Sequence, residues 1–416
     1  MKRTPRQRVV VTGMGAITPL GNNVEEYWQN LKEGRSGAAP ITLFDASAYP
    51  TRIAAEVKNF DPSAYLEPKD ARRMSRFIQF AIAATKMALE QARLTIDESL
   101  RDEVGVIYGS SIGSLTTTEK ETRVMIERGG MKINPFFLPM MLSNMGAAQI
   151  ARFWGARGPN FTTVTACASA THAIGEAVET LRRGAAKVVI AGGSEASICE
   201  LGLATFSVLR ALTTRNEEPT KASRPFDLNR DGLLPAEGAG TLILETLEHA
   251  ESRGATILAE VVGYGASCDA YHMVAPDPEG YGAALAIRRA LDDAGITVDE
   301  VDYINAHATA TTAGDIAETL ALKLVFGERA YAIPISATKS MIGHTMGAGG
   351  ALESIATIMT IREGIIHPTI NWETPDPQCD LDCVPNRARR ANVRTALCNS
   401  FGFGGHNAVL VFRAFP

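Results

Sequence analysis

Cys167 sits in VTACASATHAIG, where an apolar strand pattern passes through a tight turn into a helical one. Backbone N–H groups at a helix start, with the helix dipole behind them, stabilise a thiolate and sharpen a nucleophile. The small neighbours Ala166, Ala168, Ser169 and Ala170 leave room for a substrate to reach the sulfur. A buried core thiol is the competing reading of the same segment. His307 follows the strand-like VDYIN, and His344 lies in KSMIGHTMG ahead of another helical run. Both therefore fall at strand ends, where open α/β sheets build their sites. One cysteine and two histidines could hold zinc, or they could form a nucleophile with two hydrogen-bonding imidazoles. The C-terminal NSFGFGGHN adds a glycine-rich loop with two phenylalanines, able to aim N–H groups at a ligand.

Other chemical signatures are absent or incomplete. VTGMGAIT begins like a dinucleotide-binding turn, but Thr18 stands where the third glycine belongs. Neither a P-loop nor an H-E-x-x-H segment occurs. The cysteines stand at 167, 199, 268, 379, 383 and 398, and only Cys379 and Cys383 are close. With no second pair to complete a zinc site, these read as two loop thiols. No bound metal is expected. His249 and His367 read as surface or satisfied packing residues.

The elements that position these residues are written twice. The strand RVVVTGMGAIT (8–18) has a counterpart in AEVVGYGASCD (259–269). An amphipathic helix over 77–94 is echoed over 281–296, and each is followed by a strand, VGVIYGSSIG and VDYINAHATA. Strand, turn and helix over 161–184 recur over 334–364. KVVIAGGSEAS and RTALCNSFGFGG then close the halves, and AVLVFR adds a last strand. The pattern predicts an α/β fold of two similar half-sheets with central helices, divided into residues 1–258 and 259–416.

Composition agrees with a large soluble protein. The 416 residues are 45% hydrophobic and 21% charged, which excludes disordered and low-complexity classes. A net charge of −5 argues against general nucleic-acid binding. The N-terminal MKRTPRQR followed by VVVTGMGAI imitates a secretory leader, but glycines break the apolar part and no cleavage site follows. No run approaches the ~20 apolar residues of a membrane span. A reducing, cytoplasmic setting is expected, without disulfides.

VTACASATHAIGEA, NAHATATTAGD, KSMIGHTMGAGGALES and CNSFGFGGHN together resemble the four signature segments of the β-ketoacyl-acyl-carrier-protein synthases, most closely the elongating type II enzymes. The similarity runs from VVVTGMGAITPLGN to the last strand. It implies a thiolase-like fold, a duplicated half in five α-β-α-β-α layers, in a homodimer. It implies a decarboxylative condensation that extends an acyl chain by two carbons. Cys167 would be the acylated nucleophile, with His307, His344 and Lys339 completing the catalytic set. Phe403 matches an aromatic gate, Phe401 its neighbour, and the N–H groups of Cys167 and Phe403 an oxyanion hole. The gate is expected to meet the LLPAEG segment, with Leu233 and Pro235. Ile112 matches a residue bordering the acyl pocket. Thr309 and Thr311 match residues that hold the pantetheine arm of an acyl carrier protein. Lys69, Arg72, Arg73, Lys132 and Arg210 match basic positions that dock that acidic carrier. The resemblance implies no cofactor beyond the 4′-phosphopantetheine that carries the substrates.

Departures from the family pattern are Ala308 after the first histidine, Ala310 between two threonines, Thr312, Val274, Met131 and the LLPAEG segment. A polyketide or polyene ketosynthase shares the chemistry and is the alternative. A non-catalytic chain-length partner subunit would lack the nucleophile. A thiolase would need a second cysteine near the C-terminus, whereas Cys398 precedes the glycine-rich loop.

Overall fold

A computed structural model describes residues 6–416. Residues 1–5, the start of the leader-like stretch, lie outside the described residues. Ten strands form one hydrogen-bonded sheet, and five of them come from each part of the chain. The first five are β1 (Val9–Ile17), β2 (Val104–Gly109), β3 (Asn160–Phe161), β4 (Val188–Glu195) and β5 (Gly238–Thr246). The others are β6 (Ala259–Cys268), β7 (Tyr303–Asn305), β8 (Ile335–Ser336), β9 (Thr395–Gly402) and β10 (His406–Arg413). Their order is β3-β2-β4-β5-β1-β6-β10-β9-β7-β8.

The duplication is visible in the pairing sense. From β1 outward the contacts run antiparallel, antiparallel, parallel, parallel to β3. From β6 outward the same sequence leads through β10, β9 and β7 to β8. The two half-sheets expected from the sequence are therefore present, but they are not separate. Val9, Val10 and Val11 pair with Val261, Glu260 and Ala259 and stitch them together.

Helices complete the layers. The helix α1 (Arg76–Ala92) covers one face of β1, β5 and β4, and α3 (Tyr281–Ala294) covers β6 and β10. Between the half-sheets lie α2 (Ser169–Arg182) and α5 (Gly349–Glu363), packed on each other. The helix α4 (Thr312–Phe326) packs beside α3. Buried side chains divide accordingly. Ile174, Val178, Leu352 and Ile355 lie in the central layer, Phe77 and Phe80 on the buried face of α1, and Ile287 and Leu291 on that of α3. The helix α5 is buried on nearly every side, Glu353 and Ser354 included. This is the five-layered, duplicated α/β architecture of the thiolase-like fold. No helix among the described residues is long and apolar enough to cross a membrane.

The repeat also places the chemistry. The β3–α2 connection carries Cys167 and the β8–α5 connection carries His344, so the two turns are structural equivalents. Each ends in one turn of 3₁₀ helix, Ala166–Ala168 and Met346–Ala348, and these two touch. The N-termini of both central helices thus converge on one point, where their dipoles add.

Candidate active site

Cys167 is held by a strained turn. Ala166 adopts φ 51°, a conformation that costs a non-glycine residue about 1–3 kcal/mol and persists only where the surroundings enforce it. Enforcement comes from Gly402 at the end of β9. A Cβ there would lie 2.8 Å from Thr165 O and 3.1 Å from Cys167 N, so only glycine lets the strand end press on the turn. The backbone N–H groups of Phe403 and Cys167 itself both reach the sulfur. Those same groups can serve an oxyanion when the sulfur is acylated.

The helix start does not yield a thiolate, contrary to the sequence expectation. Burial pushes the Cys167 thiol up to about 11, and Lys339 and the Phe403 N–H only partly offset it. Desolvation of a charge outweighs the dipole here.

Both histidines turn the same edge to the cavity. Met346 N–H donates to His344 Nδ1 at 3.3 Å, so in the neutral ring the proton sits on Nε2. That Nε2 lies 3.0 Å from Cys167 Sγ. Lys339 Nζ, 3.3 Å from His307 Nδ1, imposes the same tautomer on the second ring. Burial and the neighbouring Lys339 charge hold both imidazoles well below the ordinary histidine range, so both are neutral. The rings meet edge to face, with centroids 5.6 Å apart, and Phe401 stands 5.8 Å from His307.

Buried carboxylates set this frame. Glu318 of α4 accepts the backbone N–H groups of His307 at 2.9 Å and Ala308 at 2.8 Å. Glu353 of α5 pairs with Lys339, and both are buried. Ala308, where the family pattern has glycine, sits at φ 34°. The LLPAEG segment braces His344 instead of facing the gate alone. Leu234 O accepts His344 N–H at 2.7 Å, and Ala236 N–H donates to His344 O at 3.1 Å. Pro235 pairs with His344 in that bridge, and of this segment only Leu233 lines the cavity with Phe403.

Cys167, His307, His344, Phe401 and Phe403 line one cavity of about 240 Å³, with Thr309, Thr311 and Val274 farther along it. The Thr309 and Thr311 hydroxyls hydrogen-bond each other at 2.9 Å. Arg210 is exposed and borders the same cavity. Phe403 packs on Phe206, centroids 6.4 Å apart. Behind Phe206 and Met346 is a narrow apolar void lined by Ile198, Leu203, Leu212 and Pro235.

Ile112 is not among the residues lining the cavity. It is 37% exposed, and its N–H is turned to Glu195. Lys69, Arg72, Arg73 and Lys132 are exposed and away from the cavity. Arg73 stacks 4.6 Å over Phe136, in the segment that follows Lys132. Cys379 and Cys383 are buried free thiols. Among the described residues, no three His, Cys, Asp or Glu side chains are grouped to hold a metal ion.

Family models match over most of the length. Residues 6–250 match the β-ketoacyl synthase N-terminal domain, and residues 258–373 match the β-ketoacyl synthase C-terminal domain. The chain belongs to the β-ketoacyl synthase family. A relative from Synechocystis sp., 3-oxoacyl-[acyl-carrier-protein] synthase 2, is 50% identical over 415 residues, covering 100% of both chains. Among solved structures, the ishigamide ketosynthase/chain length factor superposes with a TM-score of 0.93 at 40% identity, covering 99% of this chain and 100% of that one. A type II PKS acyl-carrier protein in complex with its ketosynthase bound to the hexaketide gives a TM-score of 0.88 at 37% identity, with coverage of 99% and 100%.

Sequence reasoning missed Glu318, Glu353, Phe206 and Met346. Glu353 and Met346 lie inside KSMIGHTMGAGGALES, but nothing local marks a buried carboxylate as a partner of Lys339.

Proposed function

We propose that the chain is an elongating 3-oxoacyl-[acyl-carrier-protein] synthase of fatty-acid synthesis. The observation that carries this reading is the approach of a neutral His344 Nε2–H to Cys167 Sγ at 3.0 Å, with His307 presenting the same tautomer to the same cavity. The thiol of Cys167 attacks the acyl thioester, and the carrier thiol leaves with the proton. The N–H groups of Cys167 and Phe403 bind the oxyanion of that step. The arm of malonyl-carrier then lies along Thr309 and Thr311, and its thioester oxygen accepts both Nε2–H groups. The bond to the carboxylate breaks, carbon dioxide departs, and its electron pair forms an enolate on that oxygen. The enolate carbon attacks the acyl-cysteine, and the thiolate that leaves regains a proton. The product carries two more carbons.

An acyl chain enters its pocket, bordered by Ile112, once Phe403 moves away from Phe206. Lys69, Arg72, Arg73, Lys132 and Arg210 dock an acidic carrier protein, a local patch on an acidic chain. The open edge at β3, with Asn160 and Phe161 exposed, supports a homodimer. The same reading divides the chain at 258/259 and places it in the cytoplasm. The 50% identity to a fatty-acid-type synthase, against 37–40% for the ketosynthase structures named above, favours this over a polyketide pathway. The test is condensation of malonyl-carrier with acyl-carrier primers of increasing length. Turnover on saturated acyl primers supports the reading, and turnover confined to polyketide primers overturns it.

A further inference from the structure

Glu195 ends β4 fully buried and takes no part in the chemistry above. Every polar contact to its carboxylate is a donor. Ser111 N–H reaches Oε2 at 2.7 Å, Gly347 N–H at 3.3 Å, and the Ser111 hydroxyl also bonds it. Ser110 Oγ lies 3.5 Å from Oε1, and the Ile112 N–H adds a further bond. Burial pushes the carboxyl up to about 7 while Ser111 and Gly347 pull the other way.

The Gly347 contact has a particular position. Gly347 follows Met346, which sits at φ 46° and donates its own N–H to His344 Nδ1. Two consecutive amides of one strained turn therefore point to Glu195 and to His344. The turn also lies directly on the Ser110–Ile112 loop, since a Cβ on Gly347 would stand 2.4 Å from Ser111 N. Released from Glu195, the turn has a route back to an unstrained φ, and the donor to Nδ1 goes with it.

We propose that Glu195 is a positioning residue for His344: it anchors the Met346–Gly347 turn, which in turn keeps Nδ1 an acceptor and Nε2–H directed at the cavity. The proposal rests on the reading of His344 as a donor in decarboxylation. It also accounts for a carboxylate over an amide at 195, because an amide nitrogen would face donors only.

The test uses the full chain labelled with ¹⁵N-histidine. Wild-type protein should show His344 as a single Nε2–H tautomer. Glu195→Ala should give a tautomer mixture at His344 but not at His307, which Lys339 holds independently. Malonyl-carrier decarboxylation should fall about tenfold in kcat with little change in KM, the scale typical of losing a partner that orients a functional histidine. Glu195→Gln should lie between, because its one amide oxygen replaces part of the acceptor set. It carries the same test if the alanine variant does not fold. An unchanged His344 tautomer in these variants overturns the proposal, as does equal disturbance of His307. Wild-type protein that releases no carbon dioxide from malonyl-carrier refutes the proposed activity instead, and the tautomer comparison still decides the role of Glu195.

Discussion

Replacing Lys339 by methionine tests the frame of the site. Methionine keeps the unbranched shape and removes only the ammonium. Lys339 is buried against Glu353 and donates to His307 Nδ1 at 3.3 Å. Removing one member of a buried pair costs about 3–5 kcal/mol, because the other charge stays behind uncompensated. Burial already raises the Glu353 carboxyl, with Lys339 the largest influence opposing it. Without the lysine, burial drives the Glu353 carboxyl further toward its neutral form, which holds the loss toward the lower end, about 3 kcal/mol. Urea unfolding at pH 7 measures this. Adding Glu353→Gln to Lys339→Met should recover most of the loss, since a neutral amide needs no counter-charge. At the same time His307 loses the donor that sets its tautomer. A missing oxyanion donor costs about 2.7–4 kcal/mol, so malonyl-carrier decarboxylation should fall up to about 10²–10³-fold. Destabilisation below about 1 kcal/mol together with unchanged decarboxylation would refute both the ion pair and its hold on His307.

Gly402→Ala places a Cβ 2.8 Å from Thr165 O, so the Cys167 turn must shift; acyl transfer to Cys167 should drop about tenfold or more while malonyl decarboxylation stays within about twofold, and equal loss of both half-reactions would contradict this. Ala308→Gly relieves a φ of 34° but loosens the unfolded chain; these effects oppose each other, and the expected outcome in urea is a gain of about 0–1 kcal/mol, with a clear loss counting against strain at this residue. Because burial pushes the Cys167 thiol up to about 11, its thiolate is a minority species at neutral pH and grows with alkalinity. Iodoacetamide labelling of Cys167 should therefore rise about tenfold per pH unit from pH 7 to 10, and a plateau below pH 9 would show that the helix dipole wins after all.

Side-chain periodicity alone specifies the elements and their repetition. Apolar periodicity over 77–94 and 281–296 became helices Arg76–Ala92 and Tyr281–Ala294, and the strand written over 259–269 became Ala259–Cys268. These are local properties, since side-chain period and turn chemistry act within a few residues of the chain. Cys167, His307 and His344 were legible for the same reason, each at the end of a patterned strand. What those groups are depends on contacts between distant segments. The His344 tautomer depends on Met346 N–H, the His307 tautomer on Lys339, and the frame beneath them on Glu318, Glu353 and Glu195. The Ile112 N–H turns to Glu195, and LLPAEG braces His344 through the backbone groups of Leu234 and Ala236. The sharpest reversal is the Cys167 thiol. A helix start next to small residues is a local feature and favours the thiolate, whereas desolvation sums over every chain segment packed around the sulfur. Burial of a charge is a property of the assembled layers, and no window of sequence contains it.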